Sequence, residues 1–106
     1  MSRVAHPATG RRSSSETRAE IVGRELRELG SRGQVLCVTH LAQVASQGHQ
    51  HLRVLKQVEG RQTRTGITPL AGDERVQEIA RMLGGVSITA RASAHAREML
   101  DAAARG

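Results

Sequence analysis

The sequence predicts an α/β fold, from three observations. Apolar residues recur at helical spacing in three separate stretches. One short β-rich run, Val35-Leu36-Cys37-Val38, lacks the alternation of a half-exposed strand. Two further β-prone runs flank a glycine-containing link. The expected order is α-β-α-β-β-α-α, with no internal repeat.

Residues 1–15 scatter apolar residues among Pro, Gly, Ser and Arg without period, and are read as a disordered or unrelated leader ahead of a domain at 16–106. From Glu16, Ala19, Val22, Leu26 and Leu29 mark one helix face. Glu20–Arg24, Arg24–Glu28 and Glu28–Arg32 offer charge pairs on the others, and Gly30 and Gly33 end the helix. The run from Gln34 to His40 is too short for a helix and reads as a strand covered on both faces, as in a parallel sheet. A short helix over Leu41–Gln47 places Leu41, Val44 and Ala45 on one side and stops at Gly48.

His51–Val58 and Gln62–Thr68 flank Glu59-Gly60-Arg61, a link that suits a β-hairpin, whose polar outer positions predict a wet face. After Pro69 and Gly72, Asp73 is placed to cap a helix carrying Val76, Ile79, Ala80 and Leu83 on one face, ended by Gly84-Gly85. A last helix from about Thr89 lines up Ala92, Ala96, Met99, Leu100 and Ala103, a narrow face suited to close packing.

Composition excludes several function classes. The 106 residues are too few for a two-domain enzyme. Phe, Tyr and Trp are absent, so any core is aliphatic, and no ring platform exists for stacking nucleic-acid bases. The net charge of +6 comes from 16 basic residues, all Arg except Lys56, and half of the excess sits in residues 1–18. Solvated charge accounts for this as well as DNA binding does. A single cysteine and the lack of any long apolar run or signal-peptide core point to a reducing, cytoplasmic location away from membranes. At this size and without aromatics, burial and chain entropy nearly cancel, so a partly molten state is expected for the chain alone.

Among chemically capable residues, His40 stands out. It follows a buried-type strand and precedes a helix, and ligands in open α/β sheets bind outside the carboxyl ends of strands. The Thr39-His40 pair either meets a ligand there or hydrogen-bonds a neighbouring loop. His49 and His51 have a metal-capable spacing but lack further ligands, so a surface pair is expected and no metal site. Cys37 and His40, three apart on a strand, face opposite sides, which makes Cys37 a buried structural thiol rather than a nucleophile. Gly84-Gly85 lacks the glycine-rich loop and Lys of a phosphate site and reads as a helix stop.

The stretch Val35-Leu36-Cys37-Val38-Thr39-His40-Leu41-Ala42-Gln43-Val44-Ala45, with Gly48-His49-Gln50-His51, resembles the switch-histidine segment of RecN-type DNA repair proteins, bacterial double-strand-break repair ATPases related to the SMC and ABC families. The resemblance starts near Ala19-Glu20-Ile21-Val22-Gly23. It continues through Glu74-Arg75-Val76-Gln77-Glu78-Ile79-Ala80-Arg81-Met82-Leu83-Gly84-Gly85 and Thr89 to Leu100, covering about residues 19–104. Ala42 departs from it, standing where the family usually has proline.

The resemblance implies the carboxyl-terminal part of a P-loop ATPase head: a buried strand, a β-hairpin and flanking helices. It makes His40 the γ-phosphate sensor, with Thr39 and Gln43 as supports. It implies ATP and Mg2+ as cofactors of the parent family, dimeric head engagement, and an indirect, nucleoid-associated role at DNA in repair and recombination. The chain has no G-x-x-x-x-G-K-[ST] motif, no apolar run ending in paired acids, no LSGGQ-type signature and no extended heptads. A truncated, frameshifted or late-started gene is therefore expected, and the chain alone is expected to bind no cofactor and turn over no ATP. Its partner would be the remainder of a head or a second head. Two other readings are a non-catalytic module that docks on a complete head, motivated by the strand's unpaired edges, and a small basic DNA-binding protein, motivated by charge alone.

Overall fold

The computed structural model describes residues 17–85 and 87–106, so the expected leader at 1–15 lies outside the described residues. The elements run α1 (Arg18–Gly30), α2 (Ala42–Ala45), β1 (His51–Glu59), β2 (Gln62–Leu70), α3 (Gly72–Gly84) and α4 (Ala90–Arg105). The result is a mixed arrangement of helices and a two-stranded antiparallel sheet that is exposed along most of its length.

The core sits where α3 meets α4. Val76, Ile79 and Ala80 of α3 and Ala96 of α4 are buried together with Ala42 of α2, flanked by Met82, Leu83, Ala92, Met99 and Leu100. These are the apolar faces that helical spacing picks out in both helices. Because alanines supply most of α4's contact, the two helices pack through short side chains and Ile79 is the largest fully buried one. The cap of α4 is Thr89, whose hydroxyl accepts from the Ala92 amide. Asp73 does not cap α3: Ala71 holds the cap position, and Asp73 lies in the first turn, where its carboxylate meets Arg97 of α4 at 3.4 Å.

A capping box starts α1. The Thr17 hydroxyl accepts from the Glu20 amide, and the Glu20 carboxylate accepts from the Thr17 amide. Its buried position is Gly23, whereas Val22 and Leu29 of the expected apolar face remain about half exposed. The reason is geometric. A Cβ on residue 23 would lie 2.8 Å from the Gln43 carbonyl oxygen and 3.3 Å from the Val44 Cα, so α1 touches α2 backbone to backbone, and only glycine allows that approach.

The expected hairpin forms, but its link is shorter than the three residues expected: Glu59 pairs with Gln62 inside the ladder, leaving Gly60-Arg61 as a two-residue turn. Gly60 has φ +60 and no other residue type in the described chain has positive φ, the signature of a turn whose twist matches its strands. The hairpin's face toward α3 carries His51, Arg53 and Leu70. Strand alternation puts Leu52, Val54, Val58 and Ile67 on the opposite face, and all four are exposed. The expected polar, wet face lies on the side of Arg53, where Gln57, Glu59, Gln62 and Arg64 are exposed, and the opposite face adds the four exposed aliphatic side chains.

The largest correction concerns residues 34–38. They form no strand, and Leu36 and Val38 are 85% and 91% exposed. A strand exists only through hydrogen bonds to a neighbour, and no other described segment offers one. Cys37, expected to be a buried thiol, is exposed for the same reason.

Candidate functional site

The candidate site begins where the 34–40 stretch runs into α2. Thr39 does not project freely: its hydroxyl accepts from the Leu41 amide at 3.0 Å and so braces the start of the helix. His40 is exposed immediately before Leu41, at the open end of the stretch. Gln43 is half-buried, with its main-chain carbonyl against Gly23. The three residues expected to form the site are therefore adjacent on one loop-to-helix junction. Ala42 is the first residue of α2, the helical position that proline occupies without losing a hydrogen bond, so the departure from the family pattern leaves the backbone path intact.

Four successive carbonyls at the far end of α2 are bound by two arginines from other helices. The Arg75 guanidinium of α3 donates to the carbonyls of Ala45 at 3.2 Å, Ser46 at 3.5 Å and Gly48 at 2.7 Å. Arg27 of α1 donates to the Gln47 carbonyl at 2.8 Å. Partial burial and the nearby positive charge of Arg27 lower the pKa of Arg75 from its ordinary value. Sequence reasoning missed both arginines. They stand 20 to 30 residues from their partners and look like ordinary solvated charge.

A second polar cluster ties the hairpin base to α3. Glu78 is buried and accepts from Arg81, with Arg53 of β1 at 3.8 Å. These cations, led by the Arg81 hydrogen bond, lower the Glu78 pKa. His51 is half-buried, its Nδ1 lacks a partner, and burial together with Arg75 lowers its pKa. His49 stays exposed and lies outside the strand, beside Gly30 of α1. The two imidazoles therefore sit in different settings. No group of three or more His, Cys, Asp or Glu side chains among the described residues is placed to hold a metal ion.

No family model matches the chain. Curated relatives do. Over 83 residues, 78% of the chain, it is 54% identical to the DNA repair protein RecN of Xylella fastidiosa. It is 49% identical over 85 residues, 80% of the chain, to RecN of Vibrio cholerae, and 38% identical over the same share to RecN of Bacillus subtilis. The chain carries a RecN-type segment. It spans about 15% of the length of each of these RecN relatives.

ATP and Mg2+, which the resemblance implies for the family, do not fit the RecN-type segment by itself. A triphosphate needs an array of donors and a metal needs converging acids. The junction before α2 supplies one imidazole, and the described residues offer no acidic cluster of the required kind. No helix among the described residues is long and apolar enough to cross a membrane.

Proposed function

We propose that residues 16–106 are the carboxyl-terminal part of a RecN-type ATPase head of double-strand-break repair and recombination, with residues 1–15 a separate leader. The observation that carries this reading is the 38–54% identity to RecN proteins over about four-fifths of the chain. Two structural features support it. The stretch from Val35 to Leu41 exposes Leu36 and Val38, and the hairpin exposes Leu52, Val54, Val58 and Ile67. Aliphatic surface on this scale in so small a chain belongs against a covering partner, and the remainder of a head supplies one.

In this reading, ATP and Mg2+ are held by the remainder of the head, and the His40 imidazole contacts the terminal phosphate there. Thr39 holds the helix start and Gln43 its first turn. The protein acts in the cytoplasm at the nucleoid, reaches DNA through the parent assembly, and engages a second head. Alone, it turns over no ATP.

The test is to purify the full chain together with the remainder of a RecN-type head carrying the phosphate loop and the magnesium-binding acids. Stable association and Mg2+-dependent ATP turnover, lost on His40→Ala with association retained, are the expected results. Failure of the two pieces to associate overturns the reading. The same uncovered apolar surface favours one alternative, a docking module without catalysis. That alternative predicts tight binding to a complete head and none to the incomplete one.

A further inference from the structure

A single turn of helix has no means of holding itself. Nucleation costs more than the few hydrogen bonds of a four-residue helix return, so α2 takes its shape from what surrounds it. On one side Gly23 brings α1 into backbone contact with Gln43 and Val44. At the carboxyl end, the Ala45 carbonyl accepts a long bond from the Gly48 amide at 3.3 Å, and the carbonyls of residues 46–48 lie past the last turn in a partly buried place. Arg75 and Arg27 donate to these carbonyls together. They do so although two guanidiniums are brought close to one another, so the carbonyls must compensate both for burial and for like-charge repulsion.

The connection from this end of α2 to its beginning is short. The Leu41 carbonyl accepts from the Val44 amide at 3.1 Å and the Ala45 amide at 2.9 Å. Leu41 directly follows His40, and its own amide is held by Thr39. We propose that Arg75, assisted by Arg27, is a positioning residue for His40: a two-arginine clamp on the carbonyls of residues 45–48 that fixes α2 and through it the imidazole. The functional meaning of that position rests on the reading of His40 given above, whereas the clamp itself does not.

The experiment uses the full chain. Backbone order parameters of residues 40–48 are compared in the wild type, Arg75→Gln and Arg27→Gln by NMR relaxation. The expected result for Arg75→Gln is a fall over 40–48 from about 0.85 to below about 0.6, with α3 and α4 unchanged. A smaller fall centred on Gln47 is expected for Arg27→Gln. Unchanged values over 40–48 in both variants overturn the proposal. Should Arg75→Gln lose dispersion everywhere, Arg27→Gln decides: a local loosening supports the clamp and none overturns it.

The second arm uses the reassembled head. Arg75→Lys, which keeps the charge but not the planar fork, lowers kcat about tenfold with KM nearly unchanged, since misplacing a group acts on the reacting step. A rise in KM with kcat unchanged overturns a role exerted through His40. Loosening of 40–48 in the free chain, with no turnover in the wild-type reassembled head, instead removes the functional reading and leaves the clamp standing.

Discussion

The pair formed by α3 and α4 and the stretch from Val35 to Leu41 have similar aliphatic content and opposite fates. In the helix pair, Ile79, Ala80 and Ala96 are completely buried, while Leu36 and Val38 stand almost fully in solvent. The difference lies in where each region's partners are. A helix satisfies its own backbone and needs only one apolar stripe covered, and α3 and α4 are neighbours in sequence that cover each other. A central strand needs a neighbour on each edge and a layer on each face, and none of the described segments provides them.

Removing the best-packed side chain should affect stability most. Ile79→Ala deletes the largest fully buried side chain in a core of small residues, so little can move in to fill the cavity. A loss of about 2–5 kcal/mol is expected. At the margin of stability of a chain this size, that unfolds it, and thermal or urea unfolding followed by circular dichroism checks it. Retention of a cooperative transition near the wild-type midpoint would mean that α3 and α4 are not the stable half of the molecule.

Gly23→Ala comes next. Replacing glycine within a helix gains about 1 kcal/mol from propensity, but the new methyl meets the Gln43 carbonyl at 2.8 Å and the Gln47 Cγ at 2.9 Å. Overpacking against backbone costs about 1–3 kcal/mol, so the sum is a loss on the order of 1 kcal/mol, confined to the α1–α2 contact. Hydrogen exchange should quicken in residues 41–47 and leave α4 unchanged. A gain in stability would show that α1 and α2 are not in backbone contact.

Acid should weaken the hairpin base through two groups of the same sign. His51 has its pKa depressed below 6.5, so the unfolded chain binds the proton more readily, and stability declines as pH falls below about 6.5. Glu78 has its pKa depressed below 4.5, and its contribution, present above that value, disappears as pH falls through the depressed one. Melting temperature measured from about pH 8 to about pH 2 should therefore fall in two stages. His51→Gln should flatten the first stage and leave the second, and an unaltered first stage would assign the titration elsewhere.

These contrasts explain which features were legible in the sequence. Both long carboxyl-terminal helices and the existence of the hairpin are encoded within about 20 residues of chain, where periodicity and turn chemistry act, while its exact register was not legible. The run at 34–38 reads as a strand because it is apolar and β-prone, but composition alone supplies no neighbouring strand, and among the described residues none pairs with it. Of the site, the adjacency of Thr39, His40 and Gln43 was legible. The Thr17-to-Glu20 capping box has a readable signal in its spacing, a Thr three residues ahead of a Glu at the start of an apolar face. The arginine clamp carried none, because hydrogen bonds from Arg75 and Arg27 to main-chain carbonyls depend on the path of the chain and not on which residues they meet.

The smallest effect expected for the free chain sharpens the comparison most. Val38→Ser changes a side chain that is 91% exposed, so stability should move by no more than about 0.5 kcal/mol in either direction. In the reassembled head the same position would lie in a central strand with a layer on either face. There, loss of the buried methyl groups and a stranded hydroxyl should weaken association of the two pieces by about 2 kcal/mol or more. A titration monitored by calorimetry measures the second quantity and an unfolding curve the first. Equal, small effects in both would mean that no partner covers this stretch, and the uncovered face of the hairpin would remain as aliphatic surface to explain. A large effect on association alone would show that the sequence of the exposed stretch is matched to a layer contributed by another chain.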